Sequence, residues 1–301
     1  MIHFAGKEVN KLVDPNSVGC PTTSIRFRPQ AEDSSYANKS KNVFISANSA
    51  GLVQHWHMTS GKCIFSQEDE GNAVYTVNYD NEGDRFATAG KDTNVRLYDE
   101  ATKSLISTMT GGTGELDKTH GHTNRIFSCK FVPHSNHLLM SGGWDSTIQI
   151  WDTRQSQAVR SIYGPHLCGV DSMDLVGSNV LTGSWRPNNN LEIYDFSKGT
   201  KVQDVKFNED GKKPCMLYAA QFSKEGQSKF ICAGGSGSNE AKIFDHHNDN
   251  ELIGTLTGLE GGVFSVDWNP EEEVGGAQQV AVAGGDLSIR ILEVTPVNMF
   301  G

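Results

Sequence analysis

The sequence predicts an all-β fold that is built from six similar units. Three recurring patterns support this prediction. A short motif, in which a large apolar or aromatic residue is usually followed by an acid, occurs six times at intervals of 42 to 53 residues. An apolar stretch that ends in tiny residues precedes each copy, and alternating apolar residues lie earlier still. Period-two alternation between turns rich in Gly, Asn and Asp is typical of short antiparallel strands.

The positions of these patterns define the units. The motif that usually ends in an acid centres on Trp56, Tyr98, Trp151, Tyr194, Phe244 and Leu292. The tiny residues end at Asn48, Gly90, Gly143, Ser184, Gly235 and Gly285. Repeats of about 40–45 residues with four strands each are the sequence signature of β-propeller blades. We therefore predict a single β-propeller with six blades, and a seven-bladed propeller is the alternative.

The predicted propeller spans residues 1–301 as one domain. We place the blades at approximately 21–66, 72–109, 120–162, 168–206, 214–257 and 261–294. Longer loops are expected at 31–41, 110–119 and 271–277, where Gly, polar and acidic residues accumulate.

The third unit carries the most specific motifs. It contains Gly121-His122, then Ser141-Gly142-Gly143-Trp144-Asp145, then Ile150-Trp151-Asp152. On these motifs the chain resembles the WD-repeat β-propeller family over nearly its whole length. The resemblance implies a hydrogen-bonded structural tetrad within the blade, formed by His122, Ser141, Asp145 and Trp151. The second unit keeps Thr88, Asp92 and Tyr98 at the matching positions but lacks the His.

The resemblance also bears on the two ends of the chain. Members of the family often let one terminus complete the blade at the other terminus. The last unit ends soon after Glu293 and lacks a fourth strand, while about 20 residues precede the first unit. We therefore expect residues 1–20 to supply a strand, within Met1–Val13, that closes the last blade.

The composition excludes several classes of protein. The charge is −10, with 36 acidic and 26 basic residues, which argues against direct nucleic-acid binding because that needs a basic surface. No run of 18 apolar residues occurs, so no membrane-spanning helix is expected. The six cysteines are scattered and the start of the chain does not resemble a secretory signal. We expect reduced thiols and a cytoplasmic location, with the nucleus as the alternative.

Aromatic and Arg residues form the candidate partner-binding site. The position after the first apolar residue of the innermost strand is aromatic in four units, at Tyr75, Phe127, Tyr218 and Phe264. Trp144 and Trp185 occupy equivalent positions before a turn in neighbouring blades, so they are expected to lie side by side on one rim, flanked by Arg125 and Arg186. Exposed Trp, Tyr and Arg dominate interface hot spots, so these residues are expected to bind a peptide on the narrow face. The alternative is that they pack between blades.

Other motifs are explained by structure. His55-Trp56-His57 supplies two imidazoles, but zinc requires at least three protein ligands. Gly234–Asn239 is rich in Gly and Ser, but it joins two predicted strands and therefore lacks the helix N-terminus of a phosphate loop. No nucleophile elbow is visible. No metal, cofactor or small-molecule substrate is expected.

Three functional hypotheses follow. The first is a non-catalytic scaffold that binds proteins or peptides in a multi-subunit complex. The second is a substrate receptor of a cullin–RING ubiquitin ligase, because Trp151-Asp152-Thr153-Arg154 matches the Trp-Asp-x-Arg motif of that subgroup, with Asp152 and Arg154 as the candidate adaptor-docking residues. The third is an enzyme with a propeller fold, which the aromatic rim rich in Gly and Ser disfavours.

Overall fold

The described residues form β-strands in six antiparallel sheets. The structure is a computed structural model, and it describes residues 12, 19–29, 42–110, 121–133, 135–155, 157–224, 228–270 and 277–294. Five sheets have four strands and the last has three, and no helix occurs in these ranges. Each sheet is formed by strands that are consecutive in the sequence. The predicted fold class and blade number, a six-bladed β-propeller, are confirmed.

The first compact unit of the chain lies within residues 7–164 and contains three sheets. Sheet 1 comprises β1 (Thr22–Phe27), β2 (Val43–Asn48), β3 (Leu52–His57) and β4 (Lys62–Glu68). Sheet 2 comprises β5 (Val74–Tyr79), β6 (Arg85–Gly90), β7 (Val95–Asp99) and β8 (Leu105–Met109). Sheet 3 comprises β9 (Ile126–Phe131), β10 (Leu138–Gly143), β11 (Thr147–Asp152) and β12 (Ala158–Tyr163).

The second compact unit contains the described residues of the range 165–301 and also has three sheets. Sheet 4 comprises β13 (Met173–Val176), β14 (Asn179–Gly183), β15 (Leu191–Asp195) and β16 (Lys201–Asp204). Sheet 5 comprises β17 (Met216–Phe222), β18 (Phe230–Ser236), β19 (Ala241–Asp245) and β20 (Glu251–Leu256). Sheet 6 comprises β21 (Val263–Trp268), β22 (Gln278–Gly284) and β23 (Ile289–Val294).

The apolar core of each unit lies between consecutive sheets. The first strand of one sheet lies against the first two strands of the sheet before it. In the first unit, Val95 and Leu97 of sheet 2 share a core with Ile126, Cys129 and Phe131 of sheet 3. Each such side chain contributes about 1.5–3 kcal/mol when it is fully buried. The alternation seen in the sequence therefore marks faces that neighbouring sheets cover.

A β-bulge interrupts the first strand of five sheets at the same place. In sheet 3, Gly143 pairs with Ile126 and Gly142 pairs with Ser128, so Phe127 has no partner on β10. The corresponding extra residues in the other sheets are Thr23, Tyr75, Tyr218 and Phe264. A bulge re-aims the side chain of the extra residue away from the regular alternation. The four aromatic residues that the sequence singles out are thus all bulge residues.

The tiny residues of the repeat permit this bulge. A Cβ atom on Gly143 would lie 2.0 Å from the carbonyl oxygen of Arg125. The equivalent Gly90 has the carbonyl oxygen of Ala73 at the same distance, and Gly235 has that of Met216 at 1.9 Å. Because these neighbours are backbone atoms, the clash could not be relieved by a change of rotamer. Glycine is therefore required at these three positions beside the bulges of sheets 2, 3 and 5.

Some sequence-based expectations concern residues outside the described ranges. The strand predicted within Met1–Val13 is one of them, since only Leu12 of that segment is described. The loops expected at 31–41, 110–119 and 271–277 are described only at residues 110 and 277. Across the described residues, no helix has the length and apolar character that a membrane crossing requires.

Gly143→Ala is expected to destabilise the protein by about 1–3 kcal/mol, the usual cost of overpacking a core. Gly254→Ala is the matched control, because its added Cβ would meet only Ile243 at 4.0 Å. Chemical denaturation of both variants and the wild type measures the difference. Equal stability of the two variants would contradict the requirement for glycine beside the bulge.

Candidate functional site

Four side chains of sheet 3 form a buried hydrogen-bonded chain. The indole Nε1 of Trp151 donates to Ser141 Oγ at 2.7 Å. Ser141 Oγ lies 2.7 Å from His122 Nε2, and His122 Nδ1 lies 2.7 Å from Asp145 Oδ2. Because the Asp145 carboxylate can only accept, His122 Nδ1 carries a proton and donates it to Asp145. The Ser141 hydroxyl accepts from Trp151 and shares a hydrogen bond with His122 Nε2, so every member of the chain has a partner.

Asp145 anchors both this chain and the turn that follows. Its Oδ2 accepts a hydrogen bond from the Thr123 backbone N–H, and its Oδ1 accepts from the backbone N–H and hydroxyl of Thr147. Burial raises the pKa of Asp145, but the hydrogen bonds from His122, Thr123 and Thr147 outweigh it and hold the pKa below its ordinary value. The carboxylate therefore stays ionised although its side chain is almost fully buried.

The other sheets of the first unit retain parts of this network. In sheet 1, Trp56 Nε1 donates to Ser46 Oγ at 3.0 Å. In sheet 2, Asp92 holds the turn by accepting from Asn94 N–H and forms an ion pair with Arg96 at 2.5 Å. The complete four-residue chain is found in sheet 3, where the sequence motif is also most complete.

An aromatic cluster covers the bulges of sheets 2 and 3. The rings of Tyr75 and Phe127 stack with their centroids 4.8 Å apart and an interplanar angle of 6°. Phe127 contacts Trp144 at 5.1 Å, and the Arg125 guanidinium lies 5.0 Å from the Trp144 ring. The exposed fraction of Trp144 is 37%, while Tyr75, Phe127 and Arg125 are half-buried. We name these four residues the aromatic cluster.

The backbone of the bulge sets the position of the cluster. The backbone N–H of Trp144 donates to the carbonyl oxygen of Arg125 at 3.0 Å. The same carbonyl oxygen is the atom that a Cβ on Gly143 would meet. The bulge between Ile126 and Ser128 re-aims Phe127, which then contacts both Tyr75 and Trp144. A surface of stacked rings beside a guanidinium suits binding of a peptide with aromatic or acidic groups.

A family model described as "WD domain, G-beta repeat" matches residues 61–99 and 114–152. These two segments contain most of sheet 2 and the four-residue hydrogen-bonded chain. The chain contains WD repeats.

Several curated WD-repeat proteins are similar to this chain. The "Ribosome biogenesis protein WDR12 homolog" of Aedes aegypti is 24% identical over 277 residues, which are 85% of this chain and 60% of the relative. The protein of the same name from Drosophila persimilis is 22% identical over 263 residues, 83% of this chain and 59% of the relative. "WD repeat-containing protein 1" of Bos taurus is 30% identical over 120 residues, 40% of this chain and 16% of the relative. The chain spans about three fifths of the length of the WDR12 homologs.

These names bear on two of the expectations from the sequence. They give no support to a ubiquitin-ligase receptor, the role for which Asp152 and Arg154 were candidates. Arg154 Nε and Nη2 bind the two carboxylate oxygens of Asp152 at 2.9 and 2.6 Å, and this ion pair lowers the pKa of Asp152 to about 2. A mainly cytoplasmic location is also not supported, whereas the nucleus is compatible with ribosome biogenesis.

The second unit of the WD-repeat chain places its candidate residues differently. Tyr218 and Phe264 contact each other with centroids 5.0 Å apart, and Phe264 is exposed. Trp185 is also exposed, and its N–H donates to the His166 carbonyl oxygen at 2.8 Å, as Trp144 does to Arg125. Trp144 and Trp185 therefore have equivalent backbone positions. They belong to different units, so the expectation that they lie side by side stays a prediction.

Arg186 is held by groups of its own unit. Its Nε donates to the Asn189 carbonyl oxygen at 2.8 Å, and its Nη2 binds the buried carboxylate of Glu192. Glu192 also accepts from the Tyr194 hydroxyl at 2.9 Å. Arg186 thus stabilises the loop that follows Trp185. It differs from Arg125, whose guanidinium lies over the exposed indole of Trp144.

The Gly- and Ser-rich segment and the paired histidines lie in strands and turns. Gly234–Asn239 joins the end of β18 to the turn before β19, as expected. His57 Nδ1 lies 2.7 Å from Ser60 Oγ at the start of a turn. Within the described ranges, His, Cys, Asp and Glu form no group of three or more that could hold a metal ion.

A buried charged cluster in the first unit was missed by the sequence analysis. Glu100 accepts from His55 Nε2 at 3.0 Å and pairs with Lys103 at 2.5 Å and Arg28 at 3.3 Å. Burial lowers the pKa of His55 below its ordinary value, and the hydrogen bond and charge of Glu100 only partly offset this effect. The available signal was that His55 occupies a repeat position that is apolar in the other units, such as Leu97.

Asp145→Ala is expected to destabilise the protein by about 1–3 kcal/mol, because His122 loses its acceptor and stays buried. Asp210→Ala is the matched control, since the Asp210 side chain is 94% exposed and only pairs with Lys206. Thermal unfolding of both variants measures the effect. A shift in Tm no larger than that of Asp210→Ala would argue against a structural role for the buried chain.

The contribution of Asp145 to the free energy of unfolding should also depend on pH. Its folded-state pKa is lowered, so its contribution is complete above the ordinary carboxyl value of about 3.9. The contribution is lost as the pH falls through the lower folded-state pKa. The stability difference between wild type and Asp145→Asn should therefore be constant from neutral pH to about 5 and shrink below about 4. Denaturant unfolding of both proteins across this pH range tests whether the stability difference shrinks in acid.

Proposed function

We propose that the chain is a non-catalytic scaffold that binds a short segment of a partner protein on the aromatic cluster. The observation that carries this proposal is the contact of Tyr75, Phe127 and Trp144 in one row beside Arg125. Half-buried rings lose little side-chain entropy on binding, and an exposed indole supplies a large apolar area. WD-repeat relatives named for ribosome biogenesis agree with a role in a multi-subunit assembly.

The geometry favours a peptide over a small-molecule substrate. The aromatic cluster consists of partly exposed rings on strand ends and a turn, whereas small-molecule sites are concave clefts. The Arg125 guanidinium covers part of the Trp144 ring and remains half-exposed, so it can donate hydrogen bonds to an acidic side chain at the edge of the aromatic cluster. Exposed Trp185 and Phe264, together with half-buried Tyr218, extend the proposal to a second site in the second unit.

Trp144→Ala should reduce recovery of the native partner at least tenfold, because hot-spot Trp residues contribute about 2 kcal/mol or more. Tyr163→Ala is the matched control: Tyr163 is the most exposed aromatic residue of the same sheet and lies on the outer strand β12. Affinity purification of the tagged full chain with quantitative mass spectrometry measures both variants.

Trp185→Ala, and the double variant that combines it with Trp144→Ala, distinguish partner binding by the first unit from partner binding by the second. If both sites bind the same partner, the double variant should abolish recovery while the thermal stability stays unchanged. Unchanged recovery with Trp144→Ala, at unchanged stability, would contradict a binding role of the aromatic cluster.

We further propose that the assembly in which the chain acts is one of ribosome biogenesis. The support is the coverage of 83–85% of this chain by the WDR12 homologs, at 22–24% identity. The tagged chain should sediment with particles that contain precursor ribosomal RNA, and Trp144→Ala should shift it to the free fraction. Sedimentation of the wild type apart from all precursor particles would exclude this assembly and leave the scaffold proposal standing.

A further inference from the structure

The two units present the same kind of aromatic pair in different surroundings. In the first unit, the bulge residues Tyr75 and Phe127 stack with their centroids 4.8 Å apart. In the second unit, the bulge residues Tyr218 and Phe264 contact each other at 5.0 Å. Each pair joins two consecutive sheets of one unit, so its geometry is set within that unit. The residues around the two pairs differ, and this difference bears on the ligand that the first pair binds.

One turn position lies directly beside each bulge ring. It is held by the residue whose backbone N–H donates to the carbonyl oxygen two residues before the bulge, as Trp144 does to Arg125. Trp144 contacts the ring of Phe127 at 5.1 Å. A Cβ at the same position of sheet 6, on Gly285, would lie 2.8 Å from the ring of Phe264. A side chain at this position therefore borders the bulge ring of its own sheet.

Lys91 holds this turn position in sheet 2. Its backbone N–H donates to the carbonyl oxygen of Ala73 at 3.0 Å, and Ala73 precedes Tyr75 by two residues. The exposed side chain of Lys91 therefore borders Tyr75, whereas the Arg125 guanidinium lies 5.0 Å from the ring of Trp144. Tyr75 and Trp144 are the two ends of the row of rings, so each end carries a cation.

The acidic residues of the same two turns hold the turns themselves. In sheet 2, Asp92 follows Lys91 and forms an ion pair with Arg96 at 2.5 Å. In sheet 3, Asp145 follows Trp144 and accepts hydrogen bonds from three neighbouring residues. Both carboxylates are thus used within the fold, and the charged side chains that flank the rings are basic.

The corresponding positions of the second unit are uncharged. Gly285 holds the turn position of sheet 6, and its N–H donates to the carbonyl oxygen of Gly262 at 2.8 Å. In sheet 5, Ser236 holds the turn position and pairs with Met216. Glycine, serine and methionine thus stand where the first unit has two cations and an indole. The basic flanks are therefore a property of the first aromatic pair and not of the repeat.

The size of the row of rings limits the ligand. The centroids of Tyr75 and Phe127 are 4.8 Å apart, and those of Phe127 and Trp144 are 5.1 Å apart. The row is therefore at most about 10 Å long, which is the length of about three residues of an extended chain. Every second side chain of such a chain points to the same side. If an apolar side chain lies over Phe127, the same-side neighbours two positions before and after it reach the ends of the row.

We propose that the aromatic cluster and Lys91 bind an extended segment in which acidic residues lie two positions before and two positions after an apolar one. The apolar side chain packs on Phe127, and the two carboxylates accept hydrogen bonds from Lys91 and Arg125. An acidic segment gains little attraction elsewhere on a chain whose formal charge is −10. This inference rests on the proposed function, because it specifies which segment the aromatic cluster binds.

Two labelled peptides test the charge preference, namely Gly-Glu-Ser-Leu-Ser-Glu-Gly and the same peptide with Gln in place of both Glu residues. Fluorescence polarisation with the full chain should give the Glu peptide about tenfold higher affinity, and this preference should fall as salt is added. Equal affinity for the two peptides would overturn the proposal.

Charge reversal on the protein tests the two cations. Lys91→Glu and Arg125→Glu should each lower the affinity for the Glu peptide about fivefold. Lys62→Glu is the matched control, because Lys62 is an exposed lysine of β4 in the same unit and should leave the affinity unchanged. Thermal unfolding verifies that each variant is folded. Binding of the Glu peptide that survives the combined Lys91→Glu and Arg125→Glu variant would place the acid-binding surface elsewhere and overturn the proposal.

Charge exchange tests the spacing and gives the direction of the segment. Two further peptides carry Lys in place of one Glu, either the first or the second. Lys91→Glu should bind one of these peptides more tightly than the Glu peptide, and Arg125→Glu should prefer the other. If both variants prefer the same peptide, or if neither gains affinity for a Lys peptide, the proposed arrangement with one cation at each end is wrong.

The native partner separates this inference from the proposed function. Loss of the partner with Trp144→Ala, together with unchanged recovery for both charge reversals, would leave the scaffold proposal standing and overturn the acidic segment. Unchanged recovery with Trp144→Ala would contradict the scaffold proposal, and the peptide affinities would then decide by themselves whether the aromatic cluster binds an acidic segment.

Discussion

In each unit, the first two sheets bury their apolar residues against the first strand of the sheet that follows, and the rest of the structure depends on that contact. A four-stranded sheet is a single layer and cannot shield its own side chains from water. The pattern of an apolar residue followed two positions later by an aromatic one serves this purpose in β5, β9, β17 and β21.

The bulge at the start of the first strand links this packing to function. Regular alternation would direct every second side chain into the core, and the extra residue breaks that alternation. Tyr75 and Phe127 consequently leave the two-residue pattern and stack on each other at the strand ends. The close approach of the Arg125 carbonyl to Gly143 makes this geometry possible. The same glycine that ends the apolar stretch in the sequence therefore positions the aromatic cluster.

Polar networks differ between the sheets although the backbone repeats. Sheet 3 has a complete chain from Trp151 to Asp145, whereas the equivalent region of sheet 2 relies on the ion pair of Asp92 with Arg96. Sheet 4 holds its turn through Arg186 and Glu192. Each arrangement satisfies buried polar groups, so the sequence can vary here without loss of the fold.

The sequence by itself determined the fold class and the number of blades, because strand alternation, turn residues and the repeat interval are local features of the chain. It also identified the bulge aromatics as a set, since they recur at one repeat position. Tertiary structure decided which of them meet: Tyr75 and Phe127 lie 52 residues apart in sequence and become neighbours only when sheets 2 and 3 pack. It decided that Arg125 lies over Trp144 while Arg186 binds Glu192, because the partners of a long charged side chain depend on distant residues. For the same reason the pairing of buried His55 with Glu100, 45 residues away, could not be derived from local pattern.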